Sequence, residues 1–198
     1  MHRVILGVMV VALLVSASSA SAFDGERRGF ILGFGIGGGL TSFTQELSGF
    51  GAGIDATSER ENKGAFATDF RIGGGFSNQF LLYYVSRVSW FNITNVFDNS
   101  VTIASGVGGL GVTWYTASAG PSWFVSGLLG FANWSAVFEN DSGGQNGFGV
   151  SGGGGYEFSS HWSIEASLSW SSPSDSEGSR KVETDPLSVL VVINGLAY

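Results

Sequence analysis

The clearest structural pattern in the chain lies in GFGVSGGGGYEFSSHWSIEASLSW, residues 147–170. Large apolar side chains recur at every second position on both sides of a short polar break at 159–161. The apolar phase consists of Phe148, Val150, Tyr156, Phe158, Trp162, Ile164, Leu168 and Trp170. The other phase holds glycine, serine and two glutamates. A period of two is that of a β-strand, so the stretch predicts two antiparallel strands joined by a tight turn.

The same period continues along the rest of the chain. It is clear over three more stretches, 30–40, 65–76 and 80–90. It is less regular over three others, 101–115, 123–138 and 187–198. In the last of these the phase breaks at Asn194 and Gly195, which predicts a β-bulge. The total is eight predicted strands.

The predicted connections alternate in length. Three are short, at 77–79, 116–122 and 159–161, whereas 41–63 and 171–186 are long. Alternation of this kind is typical of an up-and-down antiparallel sheet, and eight such strands can close and leave no unpaired edge. The sequence therefore predicts an all-β fold, an eight-stranded antiparallel up-and-down transmembrane β-barrel.

A glycine motif near the start of the first strand has a second interpretation. Gly33, Gly35 and Gly38 fit the dinucleotide-binding pattern G-x-G-x-x-G. That pattern needs a following helix within a βαβ unit, and no helical period follows here. We therefore interpret these glycines as positions of a narrow barrel lumen that leave no room for a side chain.

The first 22 residues have the three parts of a secretory signal peptide. Arg3 supplies a basic start, 4–15 is an apolar run, and 20–22 are small residues suited to cleavage. Twelve apolar residues are too few to cross a bilayer as a helix, which takes about 20. We expect a signal peptide at 1–22 and an outer-membrane barrel domain at 23–198.

Composition excludes several function classes. The formal net charge is −7, which argues against nucleic acid as a partner. There is no cysteine, and His161 is the single histidine after residue 22, so we expect no metal site and no cofactor. The acidic residues of the connections are interpreted as solvated charges, with weak divalent-cation binding as the alternative.

The charges within the clear strands indicate which phase faces outward. All five lie on the phase opposite the recurring large apolar residues: Asp69, Arg71, Arg87, Glu157 and Glu165. A soluble surface carries about 25–35% charged residues, and an eight-stranded barrel has little room for aromatic side chains inside. We therefore predict that the apolar phase faces lipid. The lumen then holds a charge network in which both arginines pair with the three carboxylates.

Aromatic residues near the strand ends predict two membrane-interface girdles. The predicted girdle residues are Trp90, Tyr115, Trp123, Tyr156, Trp162, Trp170 and Tyr198.

The signal peptide, the paired strands of 147–170 and of ATDFRIGGGF-SNQFLLYYV (67–85), and the terminal aromatic Tyr198 together resemble OmpA/OmpX-like outer-membrane barrels of Gram-negative bacteria. The resemblance implies a location in the outer membrane, with membrane lipid and lipopolysaccharide around the barrel. It also implies insertion by the barrel-assembly machinery, which would read the last strand. The residues of that signal would be Leu190, Val192, Leu196 and Tyr198.

Two relatives of this architecture are enzymes acting on lipid A, and one of them, a deacylase, uses a His-x-Ser pair with a glutamate. His161, Ser163 and Glu165 are similar to that set. His161 falls in a predicted periplasmic turn, however, whereas lipid A lies in the outer leaflet. We therefore expect no enzyme but a structural or surface-interaction role, with a possible ligand at loops 41–63 and 171–186. A small passive channel is the alternative, and a lipid-A-modifying enzyme a distant one.

Overall fold

A computed structural model describes residues 26–49, 55–94, 99–137, 144–177 and 180–198. The predicted signal peptide at 1–22 lies outside these ranges. Within them no helix is long and apolar enough to cross a membrane. The strands are β1 (Gly29–Phe43), β2 (Gln45–Ser48), β3 (Ala56–Thr57), β4 (Glu61–Gly75), β5 (Phe80–Thr94), β6 (Ser100–Tyr115), β7 (Ser122–Val137), β8 (Gly144–Ser159), β9 (Trp162–Glu177), β10 (Arg180–Thr184) and β11 (Leu187–Ala197).

Eight of these strands form a closed antiparallel barrel. Strands β4 to β9 pair in chain order, each with the next, and β1 pairs with β4. The last strand, β11, pairs with both β1 and β9, which closes the sheet on itself. Closure satisfies the backbone hydrogen bonds of every barrel strand without an edge, as a sheet in lipid requires. The predicted eight-stranded up-and-down barrel is confirmed.

The connections at one end of the barrel are short. The turns between β4 and β5, β6 and β7, and β8 and β9 lie at this end, as does the terminal residue Tyr198. Outer-membrane barrels have short turns on the periplasmic side and longer connections outside the cell. We therefore call this end periplasmic and the opposite end extracellular.

At the extracellular end, the predicted loops 41–63 and 171–186 are wrong in part. β1 continues to Phe43, β9 continues to Glu177, and β2 and β10 pair with each other above the barrel. β10 also pairs with the end of β9, and β2 with β3. We call β2, β3, β10 and residues 171–177 the surface extension. The sequence did not predict these strands because they lie outside the membrane. Strands there do not need a large apolar residue at every second position.

The predicted bulge at Asn194 and Gly195 is also wrong. β11 pairs without a register shift with β1 and with β9 through both residues. In the described pairings the shift lies between Glu157 and Ser159 instead. Both phases of β11 are largely apolar, and alternation therefore could not reveal which phase faces inward. Leu190, Val192, Asn194 and Leu196 are buried, whereas Val189, Val191 and Ile193 are exposed.

The exposed phase of the barrel wall is the apolar one. Phe34 is 57% exposed, Phe70 41% and Trp170 44%, and the other large residues of the same predicted phase also lie on the outside. The large apolar residues that belong to the opposite phase are buried: Ile31, Leu81, Tyr83 and Val85. Among the charges of these strands, Asp69 is 0% and Arg87 6% exposed. An apolar exterior around a closed hydrogen-bonded ladder is what a bilayer requires of a sheet. The barrel is therefore a membrane-spanning one, with the predicted polarity.

Candidate functional site

The centre of the lumen holds four charged side chains, which we call the lumen quartet: Asp69, Arg71, Arg87 and Glu165. Arg71 Nε donates to Asp69 Oδ1 at 2.7 Å, and Arg71 Nη2 to Glu165 Oε2 at 2.5 Å. Arg87 Nε donates to Asp69 Oδ2 and Arg87 Nη2 to Glu165 Oε1, both at 2.8 Å. Each carboxylate therefore bridges two guanidinium groups, which gives the quartet no net charge.

The strand register explains why these four residues meet. Asp69 and Arg71 lie two positions apart on β4 and so share the lumen face. Arg87 on β5 is directly opposite Asp69 in the ladder. Glu165 approaches from β9 across the lumen and also accepts a hydrogen bond from Ser126 at 2.7 Å. Charges buried in the lumen are tolerated because each is paired and hydrogen-bonded.

Glu157 does not join the quartet, contrary to the pairing predicted for it. Its partner is Arg27, which donates from Nε to Oε2 at 3.0 Å and from Nη2 to Oε1 at 2.7 Å. Arg27 Nη1 donates to the carbonyl oxygens of Asn78 and Ala117 at 2.9 Å each. Its guanidinium carbon lies 3.8 Å from the ring centroid of Tyr115.

Sequence reasoning missed Arg27 because it precedes the first strand and belongs to no alternating pattern. The side chain is buried and enters the lumen from its periplasmic end. Through Asn78 and Ala117 it ties together the two turns β4–β5 and β6–β7. Arg27, Glu157 and Tyr115 therefore close the periplasmic end, and we call this group the periplasmic plug.

The extracellular end is closed by aromatic side chains. The ring centroids of Phe43 and Trp134 lie 4.9 Å apart, and those of Phe91 and Trp134 5.5 Å apart. Val101 and Ile103 are buried against this group. We call the three rings the aromatic cap. Packed aromatic rings exclude water, so the cap separates the lumen from the extracellular medium.

Hydroxyl groups fill the space between the cap and the quartet. Thr41 Oγ1 lies 2.9 Å from Ser188 Oγ and donates to Ser89 Oγ at 3.2 Å. A cavity beside Arg87, lined by serines of β5, β6 and β9, has a volume of ≈ 10 Å³. That volume is about the minimum for a single water molecule. The lumen is thus filled along its length by side chains of the described strands.

Five of the seven predicted girdle residues lie on the exterior. These are Trp90, Trp123, Tyr156, Trp162 and Trp170. Tyr115 and Tyr198 are buried in the lumen at the periplasmic end, and their assignment to the girdle is wrong. The neighbour Trp114 faces outward in place of Tyr115. When two aromatic residues are adjacent at a strand end, the sequence does not show which of them faces the lumen. Here Tyr115 faces the lumen, where it contacts Arg27.

The four residues predicted as an assembly signal share one face of β11. Leu190, Val192, Leu196 and Tyr198 are all buried in the lumen. Their role in insertion stays a prediction. Between them lies Asn194, whose side-chain nitrogen and oxygen are buried without a hydrogen-bond partner. Such an amide is an exception in a folded interior, where a bound water usually supplies the missing partners.

His161, Ser163 and Glu165 do not converge on one another as a catalytic set. His161 Nδ1 lies 2.9 Å from the carbonyl oxygen of Leu196, in the periplasmic turn. Glu165 is engaged by both lumen arginines. Ser163 is buried on the lumen face of β9. A base that activates a serine must lie within hydrogen-bond reach of it and be oriented by a third group, and Glu165 orients the arginines instead.

The surface extension has two different faces. On one face Lys181 Nζ donates to Glu183 Oε2 at 2.5 Å, and Ser172 Oγ donates to Glu183 Oε1 at 3.2 Å. These hydrogen bonds lower the pKa of Glu183 from its ordinary value. Val182 and Leu47 are ladder partners on the other face. Within the described ranges, no group of three or more His, Cys, Asp or Glu residues is placed to hold a metal ion.

Comparison with known proteins finds similar structures but no matching sequence family. No family model matches the sequence, and no curated protein does either. The outer-membrane protein OprG from Pseudomonas aeruginosa matches 88% of this chain and 98% of its own, with 14% identity and a TM-score of 0.50. Ail, the attachment invasion locus protein of Yersinia pestis, matches 83% of this chain and 99% of its own, with 15% identity and a TM-score of 0.42.

The outer-membrane protease OmpT from Escherichia coli matches 86% of this chain and 97% of its own, with 8% identity and a TM-score of 0.45. At these identities the matches concern the fold alone. The match to OprG agrees with the closed ladder and the apolar exterior. The chain therefore has the eight-stranded fold of OmpA/OmpX-like barrels, which are outer-membrane proteins of Gram-negative bacteria.

Proposed function

We propose that this chain is a closed, non-catalytic outer-membrane barrel that acts at the cell surface through its surface extension. The observation that carries the proposal is the filled lumen. The periplasmic plug, the lumen quartet and the aromatic cap block it at three successive levels. A barrel whose interior only just holds its side chains offers partners its extramembrane parts rather than a passage.

The surface extension is suited to contact a partner. Its backbone is held by ladder pairing, which makes it more rigid than a loop of the same length. One face carries Glu46, Lys181 and Glu183, and the other exposes Leu47 beside Val182. An exposed apolar residue bordered by charges is a common feature of protein contact surfaces. Predicted loops 41–63 and 171–186 both contribute to this surface.

The barrel itself would contact outer-membrane lipid and lipopolysaccharide. During insertion its partner would be the barrel-assembly machinery, with β11 from Leu190 to Tyr198 as the recognised strand. These partners follow from the outer-membrane location and require no binding pocket.

Planar-bilayer conductance of residues 23–198 tests the closed lumen. We expect no steady open pore, since the quartet and the cap have to separate before ions pass. A steady pore that passes sugars would contradict the proposal and favour the channel alternative. Hydrolysis of lipid A by the wild type that is lost in Ser163→Ala would contradict the non-catalytic role.

A binding screen tests the surface role. The barrel in nanodiscs is applied to arrays of glycans and extracellular proteins. We expect binding by the wild type and by Val182→Thr, and its loss in Val182→Pro, because proline removes a ladder hydrogen bond of β10. Equal binding by Val182→Pro, with its surface extension shown by hydrogen exchange to be unpaired, would overturn the role of the extension.

A further inference from the structure

The apolar exterior of the barrel is interrupted along β6. Three successive outward positions of this strand hold small residues, Ala104, Gly106 and Gly108. Trp90 and Val88 of β5 lie opposite Ala104 and Gly106, and Phe131 of β7 lies opposite Gly108. A groove of about 740 Å³ runs between them. The groove opens on the side of the barrel that faces the bilayer.

Aromatic side chains form the two walls of the groove. Tyr84 and Trp90 of β5 stand on one side, and Phe131 of β7 on the other. Trp90 is held in place by a hydrogen bond from its indole nitrogen to Thr68 Oγ1 at 2.9 Å. Phe131 is 84% exposed. The groove is therefore a feature of the folded barrel wall, and an acyl chain can enter it without a conformational change of the protein.

The length of the groove matches one leaflet. It follows β6 over the seven residues from Ala104 to Leu110, which span about 20 Å at the rise of a β-strand. Barrel strands tilt by about 35–45°, so this length corresponds to about 15 Å along the membrane normal. The apolar band of such barrels is about 25 Å tall, and half of it is close to this depth. A single acyl chain can lie along the groove without leaving its leaflet.

The two ends of the groove differ in polarity. The end toward the membrane centre is lined by Leu110 and Phe131. The extracellular end carries three polar side chains, in which Ser135 Oγ donates to Asn133 Oδ1 at 3.0 Å and Asn133 Nδ2 to Asn146 Oδ1 at 3.5 Å. Among the described residues that line the groove, none is charged.

We propose that this groove binds one zwitterionic phospholipid in the outer leaflet, in place of a lipopolysaccharide molecule, with an acyl chain along β6 and the headgroup at Asn133, Ser135 and Asn146. Neutral amides and hydroxyls can hydrogen-bond a headgroup that has no net charge. A phosphorylated lipid A headgroup would favour lysine or arginine at the polar end. The proposal rests on the membrane-spanning barrel and is independent of the role of the surface extension.

Native mass spectrometry of barrels released from nanodiscs of phosphatidylethanolamine tests this binding. We expect one retained phosphatidylethanolamine on the wild type. Gly108→Leu fills the groove, since a Cβ there would lie 3.0 Å from the hydroxyl of Tyr84 and 3.7 Å from the carbonyl oxygen of Val85. We expect at least a fivefold loss of the retained lipid. The matched control is Gly152→Leu, at another outward glycine with nothing within 4 Å of its Cβ position, where we expect retention unchanged.

Heat-modifiability on a gel shows whether Gly108→Leu folds. If it does not fold, a second variant tests the groove. Phe131→Ala removes an exposed wall and should lower retention severalfold without disturbing the lumen. Equal retention in Gly108→Leu, or in Phe131→Ala if only that variant folds, would overturn the proposal. Preference for added lipopolysaccharide over phosphatidylethanolamine would also overturn it. A two-barrel complex that Gly108→Leu dissolves would assign the groove to a second copy of the chain instead.

Discussion

Asp69 is one of two carboxylates that bind both Arg71 and Arg87. It accepts hydrogen bonds from Arg71 and Arg87, and its side chain is fully buried. Asp69→Asn keeps the volume but removes the charge, which leaves the arginines with Glu165 as their shared carboxylate. We expect the free energy of unfolding in lipid vesicles to fall by about 3 kcal/mol, measured by urea titration.

The control for Asp69→Asn is Glu61→Gln. Glu61 forms an exposed ion pair with Lys63 at 3.0 Å, and exposed pairs contribute about 0–1 kcal/mol. Equal losses in the two variants would mean that the quartet contributes no more than a surface pair does.

Arg27 makes the second residue-scale prediction. Arg27→Ala leaves the buried carboxylate of Glu157 without its arginine and frees the turns that hold Asn78 and Ala117. We expect a loss of about 3 kcal/mol in the free energy of unfolding, because an uncompensated buried charge is costly. Its neighbour Arg28 has an exposed side chain, and Arg28→Ala should change stability by no more than about 0.5 kcal/mol. Similar values for the two variants would contradict the periplasmic plug.

At the scale of elements, the pairing of β1 with β11 depends on glycine. A Cβ at Gly37 would lie 2.7 Å from Val192 Cα and also meet the backbone carbonyl of Val191. Backbone atoms cannot move aside as a flexible side chain does, so Gly37→Ala should separate the two strands. We expect destabilisation by about 1–3 kcal/mol in urea titration.

The control for Gly37→Ala is Gly152→Ala on the exterior of β8. Its Cβ would meet nothing within 4 Å, and alanine in a strand is favoured over glycine by about 0.5 kcal/mol. We therefore expect Gly152→Ala to be neutral or slightly stabilising. A neutral Gly37→Ala would show that the β1–β11 seam tolerates a wider spacing.

At the scale of the whole molecule, the inside-out polarity makes a prediction about added charge. Ile36 is exposed near the middle of β1, within the apolar band. Ile36→Arg should lower the free energy of unfolding in vesicles by about 2–4 kcal/mol, the cost of arginine near the bilayer midplane.

Leu47→Arg is the matched variant outside the band. Leu47 is exposed on the surface extension, and we expect a change of no more than about 1 kcal/mol there. A harmless Ile36→Arg would mean that the apolar exterior does not face lipid.

Much of the architecture could be predicted from the order of large and small residues along the sequence. Phe34, Phe70 and Trp170 each stand between two residues that are small or charged, and a period of two indicates a β-strand in stretches of this length. The same alternation placed Asp69, Arg71, Arg87 and Glu165 on one face, because a strand sends successive side chains to opposite sides. In β11 both phases are apolar, and Trp114 and Tyr115 are adjacent aromatic residues. In these places the alternation could not predict which side chain faces the lumen.

The period, the number of barrel strands and the polarity of the wall could be predicted before the fold was known, because they depend on local spacing and on the composition of each phase. The pairing of the charges depends on the closed barrel. Glu157 pairs with Arg27 across 130 positions of the chain, and the surface extension forms from strands that a local pattern showed as loops. Such contacts depend on closure of the sheet, which sets the register and brings together residues that no local pattern relates.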